Sequence, residues 1–145
     1  LAYKKKLTYL MPKWYGDREG EEMFSFARES TANARKGSQI PFLLLDAHTQ
    51  MAYQFERNSG QNWKEYYGRP EVWQEIRQVY DAYLQQHPDS LIHRNKYARL
   101  AFFAADYDEA VRQFKLIGTD IDTETWSEKF FYQSRTEAYQ KAGHK

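Results

Sequence analysis

The chain has 145 residues, 21 basic and 20 acidic, and no cysteine. That length suits a single domain burying roughly 70% of its unfolded surface without staples. The cysteine count excludes disulfide scaffolds, cysteine–zinc sites and thiol catalysis, and a net charge of +1 gives no general attraction to nucleic acid or to an anionic membrane.

The apolar supply is aromatic, with 12 tyrosines, 9 phenylalanines and 4 tryptophans. Few β-branched strand formers accompany them, which argues for helices. Apolar runs are short, as at residues 41–45, so no membrane-spanning segment is expected. The start at Leu1, without methionine or a signal-peptide pattern, points to a piece of a longer protein. Cytoplasmic placement is favoured for this segment, and the location of the whole stays open.

In chain order, "LAYKKKLTYL" reads as a short helix ending before Pro12. Gly16 permits a turn, and Asp17 with Glu19, Glu21 and Glu22 opens a second helix by capping and dipole complementarity. Met23, Phe24, Phe26, Ala27 and Ala34 give its apolar face, and Lys36-Gly37 its expected end. Pro41 starts the next helix, with Leu44, His48, Met51 and Phe55 as a stripe widened by Leu45 and Ala52. Asn58-Ser59-Gly60 stops it, and residues 60–69, "GQNWKEYYGR", read as a loop. Pro70 opens a helix with Val72, Trp73, Ile76, Val79, Tyr80, Tyr83 and Leu84 inward, and Pro88 ends it. Helices over about 90–104 and 107–117 follow, joined by a turn at Ala105-Asp106. A last helix is expected over about 123–141, capped by Thr123. Beyond the short first segment, six helices and no strand result. One domain is expected over 1–145, with N-terminal helices in 1–58 and a helical-repeat part in 70–141.

The stretch "ADYDEAVRQFKLI" resembles the second half of a tetratricopeptide repeat. Tyr107, Ala110, Phe114 and Ile117 fall at its tyrosine, small, aromatic and apolar positions. Ala110 lets paired helices approach, and Phe114 fills the groove to the next pair. Tyr97, Ala98 and Ala101 match the preceding helix. Ile76, Tyr80, Tyr83 and Pro88 match one repeat earlier. Ala105 stands where the repeat usually has glycine, and the pair over 42–88 has too long a connection. The resemblance implies an all-α fold of helical hairpins, stacked as a short, divergent tetratricopeptide-like repeat. A longer match covers about residues 8–135. "MPKWYGDREGEEMFSFARE", "PFLLLDAH" and "NKYARLAFFAADYDEAVRQFKLIGTDIDTETW" resemble a bacterial family known only as domain of unknown function 4034, with Pro12, Trp14 and Gly16 as its start motif. That likeness implies a fold and a bacterial source, and no reaction.

No catalytic motif appears, so the expectation is a protein that is not an enzyme and needs no cofactor. His48 lies on an apolar stripe, His87 and His93 flank a turn, and His144 is in the tail, so no metal-ligand spacing arises. Asp106, Asp108 and Glu109 fit cap and dipole roles. Lys4-Lys5-Lys6 reads as a solvated run. Repeat folds of this kind present a concave face to a protein or peptide. Tyr80, Tyr83, Arg94, Asn95, Tyr97 and Arg99 are the candidate anchors there, which makes a scaffold or adaptor the first reading. A pocket of His48, Trp63, Tyr66 and Tyr67 is the alternative, for a small ligand or a divergent enzyme. A toxin-neutralising immunity-type protein is a third reading.

Overall fold

A computed structural model describes residues 2–10 and 20–143, and among them every regular element is a helix. The fold is all-α and repeat-like, with eight helices among the described residues where the sequence predicts six beyond its short first segment; the added one is a single turn at Trp63–Tyr67. Pro12, Trp14, Gly16, Asp17, Glu19 and His144 lie outside the described residues. The chain divides into two compact units, residues 1–63 and 64–145. The division falls between the expected N-terminal helices and the expected repeat part.

The first unit holds α1 (Ala2–Tyr9), α2 (Glu21–Ala32) and α3 (Phe42–Ser59). Leu7, Met23, Phe24, Ala27, Leu43, Leu44, Ala47 and Ala52 form its core. Gly20 starts α2 at φ 73°, a left-handed backbone that favours glycine, and a Cβ there would also push on the flexible Met51 side chain, whose Sδ would lie at 2.9 Å. The end of α2 comes four residues earlier than Lys36-Gly37 predicts. Asn33 caps it, its N–H (3.2 Å) and Nδ2 (3.1 Å) both donating to the Glu29 carbonyl, while Ala34 N–H bonds the Thr31 carbonyl (3.1 Å) in a tighter closing turn. Gly60 ends α3 in the left-handed conformation, as expected.

At the division lies α4 (Trp63–Tyr67), a single helical turn where the sequence reads as a loop. The second unit continues with α5 (Pro70–Gln86), α6 (Leu91–Phe103), α7 (Tyr107–Ile117) and α8 (Glu128–Lys141). The tightest packing is between α6 and α7, where Ala98, Ala101 and Ala110 are fully buried and let the backbones close up. Their turn is a Schellman motif. Asp106 N–H bonds the Ala101 carbonyl (3.0 Å) and Ala105 N–H that of Phe102 (3.1 Å). This geometry puts Ala105 at φ 60°, the left-handed region that favours glycine. Phe114 stacks on Trp126 (centroids 5.5 Å, 14°) and meets Phe131 edge-on (5.1 Å).

The last helix starts five residues later than Thr123 predicts. Asp122 organises residues 122–126 as an isolated turn, accepting from Thr125 N–H (3.1 Å), Trp126 N–H (3.3 Å) and the Thr125 hydroxyl. Ser127 is extended (φ −69°, ψ 154°), which interrupts the helix, and its hydroxyl then caps α8 at Phe130 N–H (3.1 Å). Among the described residues, no helix is long and apolar enough to cross a membrane.

Candidate functional site

The densest set of chemistry-bearing side chains spans α5, α6 and α7. Asp106 caps α7, its Oδ1 accepting from Glu109 N–H (3.2 Å). Its Oδ2 accepts from the Trp73 indole (2.8 Å) and from Arg77 Nη1 (3.3 Å), which ties the cap to α5. One turn later Glu109 is buried, with a side chain 2% exposed. Glu109 Oε1 accepts from Arg112 Nη2 (2.7 Å), Arg77 Nη2 (3.0 Å) and Tyr97 Oη (3.1 Å). Oε2 accepts from Arg112 Nε (2.8 Å) and Gln113 Nε2 (2.9 Å). Tyr97 Oη also lies 2.7 Å from Asp81 Oδ1. Arg94 Nη1 donates to Gln113 Oε1 (2.9 Å), and Arg94 Nη2 to the Pro88 carbonyl (2.9 Å).

The electrostatics are self-contained. Burial by itself pushes the Glu109 carboxyl up, but the donors from Arg112, Gln113 and Tyr97 outweigh it and hold Glu109 below the usual carboxylate value. Burial, then the bond to Asp81, pushes the Tyr97 phenol far above its ordinary value. The bond to Glu109 keeps Arg112 protonated more firmly than a free guanidinium. Arg77, Arg94 and Arg112 stand against Asp81, Asp106 and Glu109, so the charges of the cluster balance. A carboxylate saturated by donors has no lone pair to spare for a substrate proton. The cluster clamps three helices together.

A second polar node latches the α7–α8 connection onto α6. Asn95 is fully buried and uses both ends of its amide. Its Nδ2 donates to the Leu91 carbonyl (2.8 Å) and the Asp120 carbonyl (3.2 Å). Its Oδ1 accepts from Asp122 N–H (3.1 Å) and the Trp126 indole (3.0 Å). Arg99 Nη1 donates to the Thr125 carbonyl, while its buried Nε finds no partner.

The six expected surface anchors therefore sit inside the unit or are turned to its own use. Tyr80 and Tyr97 are buried and stack on each other (4.9 Å, 9°). Tyr83 is buried against His87 and His93, with centroids at 4.4 Å from each. Asn95 is core, and Arg94 and Arg99 are half-buried braces. The physical reason is that α6 packs against α5, α7 and α8, which buries the side that carries Asn95, Tyr97, Ala98 and Ala101.

Of the alternative group, His48 is buried on α3 with its ring 4.8 Å from that of Phe24. His48 and Trp63 belong to the first unit, Tyr66 and Tyr67 to the second. Tyr66 and Tyr67 are each 5% exposed and meet edge to face (5.7 Å), so their rings are not open stacking platforms. Among the described residues no group of three histidine or acidic side chains is arranged to hold a metal ion. An open groove on α8, lined by Tyr132, Gln133, Thr136, Glu137, Gln140 and Lys141, is drawn from that one helix.

The outward apolar residues were not foreseen. Leu91, Ile92 and Leu116 are 41%, 53% and 57% exposed, at the open end of the α6–α7 hairpin. The signal for Leu116 was available, because it lies between the inward Phe114 and Ile117 on a short amphipathic helix. No family model matches the chain, and neither a curated protein nor a solved structure matches it.

Proposed function

We propose that the chain is a non-catalytic, tetratricopeptide-like docking module, a bacterial scaffold or adaptor that binds a protein or peptide partner. The carrying observation is the exposure of Leu91, Ile92 and Leu116 where α6 begins and α7 ends. Large aliphatic side chains left in water beside a rigid hairpin are the raw material of an interface. The buried groups support the same reading: the arginines, carboxylates and tyrosine phenol that might have done chemistry brace helices instead. The left-handed Ala105 and the buried Ala98, Ala101, Ala110 and Phe114 support the tetratricopeptide likeness, since each sits where that repeat has the same demand. The resemblance to the domain-of-unknown-function family supports the bacterial assignment. The docking end proposed here replaces the buried tyrosines as anchors.

The test compares the full chain with Ile92→Asp/Leu116→Asp in affinity capture from a bacterial host. Both positions are exposed, so the melting temperature is expected to stay within a few degrees. A partner retained by the parent and lost by the double variant supports the reading. Equal capture by both, or no saturable partner for either, overturns it.

A further inference from the structure

The turn between α5 and α6 carries a set of side chains that the polar cluster does not use. Ser90 is the N-cap residue of α6, yet its hydroxyl makes no bond to the helix backbone. Asp106 and Ser127, at the starts of α7 and α8, both do. The Ser90 hydroxyl lies instead 2.6 Å from His93 Nδ1. His93 and His87 each rest 4.4 Å from the ring of Tyr83, which gathers two imidazoles on one aromatic side chain.

A proton on His93 is unwelcome for several independent reasons. His93 is in the first turn of α6, where the positive end of the helix dipole opposes a cation. Lys96 on α6 and His87, the residue that caps the end of α5, each oppose a positive charge there. Tyr83 from α5 and Ser90 from the turn are neutral, and Asp89 in the same turn is exposed to solvent. Protonation also makes Nδ1 a donor, so the Ser90 hydroxyl must turn round to accept and lose its own acceptor.

We infer that this turn is a proton-sensitive joint: neutral His93, bonded to Ser90 and resting on Tyr83, holds the first turn of α6 closed, and its protonation opens that turn. Burial, then Lys96 and His87, keep the His93 pKa below its ordinary 6.5. A depressed histidine makes the closed turn most stable above about 6.5, and that stability falls as pH drops from there through the folded midpoint. Opening moves Leu91 and Ile92, which follow Ser90 directly. The joint stands on its own geometry and holds whether or not those residues dock a partner.

The experiment uses the full chain, with an NMR titration of the histidine rings and amide exchange of residues 91–94 at pH 7 and pH 5. Exchange is corrected for intrinsic chemistry. The expected result is a larger opened population at pH 5 than at pH 7, several-fold and at most about 25-fold, because tenfold per unit of depression is reached only below both midpoints. His93→Gln abolishes the pH dependence. His87→Gln, an exposed change, raises the His93 midpoint and weakens the dependence. Equal protection at both pH values in the parent overturns the joint, as does an acceleration that survives unchanged in His93→Gln.

Discussion

The two units use polar side chains differently. In the first, Thr31, Thr49 and Ser59 return their hydroxyls to carbonyls four residues earlier on their own helices. Such bonds save a donor but fix no neighbour. The Lys4–Asp46 pair between α1 and α3 is long (3.9 Å) and exposed, so screening leaves it little weight. In the second unit the corresponding groups reach across helices. Trp73 and Arg77 on α5 bond Asp106 and Glu109 at the start of α7, and Asn95 on α6 holds the α7–α8 connection. Apolar packing says that helices should meet, and directional bonds in a dry interior say in which register. The second unit has both.

The contrast can be broken by mutation. Phe114→Ala carries the largest effect, a loss of about 3–5 kcal/mol in denaturant melts, because it empties the space between Trp126 and Phe131. A loss under about 1 kcal/mol would overturn the repeat register. Asn95→Ala comes next, at about 2–3 kcal/mol, since it leaves the buried Trp126 indole and Asp122 N–H without an acceptor.

Glu109→Gln is expected to lose about 1–3 kcal/mol at neutral pH. Its pH profile sharpens the point. The folded carboxyl titrates below its ordinary 4.5, so its contribution is full above that value and disappears as pH falls through the folded midpoint. The gap between parent and variant should close in acid, as read by melts at pH 7 and pH 3. A constant gap would mean that Glu109 acts by shape alone.

Ala105→Gly has the opposite sign. Removing the Cβ from an exposed left-handed residue should stabilise by about 1 kcal/mol, seen as a higher melting temperature. Thr136→Val on α8 should change stability by less than about 0.5 kcal/mol, because the exposed Thr136 hydroxyl bonds the Tyr132 carbonyl of its own helix; Thr49→Val, whose hydroxyl bonds the Leu45 carbonyl in the same way, gives the matching value for the first unit. If Asn95→Ala proved as mild as Thr49→Val, the difference between the units would vanish.

Helix identity was legible where a breaker and a periodic apolar face coincided, as at Pro70–Gln86 and around Ala105-Asp106. The boundaries that moved did so for local polar reasons. Asn33 closes α2 early, and Asp122 with Ser127 delays α8, each through a bond invisible to apolar periodicity. The candidate anchors failed differently. Tyrosine and arginine suit an interface and equally suit a helix packed on several sides, and α6 is such a helix. Asn95 looks like a surface residue in the sequence, and in the fold it is fully buried.

The sequence by itself determined that this chain is helical and that it cannot rely on cysteine chemistry. These follow from composition and from short-range sterics, which act along the chain. Only the tertiary structure decided that Glu109 is a clamp rather than a free carboxylate, that Asn95 is core, and that Leu91, Ile92 and Leu116 face water. Those outcomes depend on which helices surround α6, and burial and hydrogen-bond partners across 12 to 33 residues of sequence are set by packing, which no local pattern records.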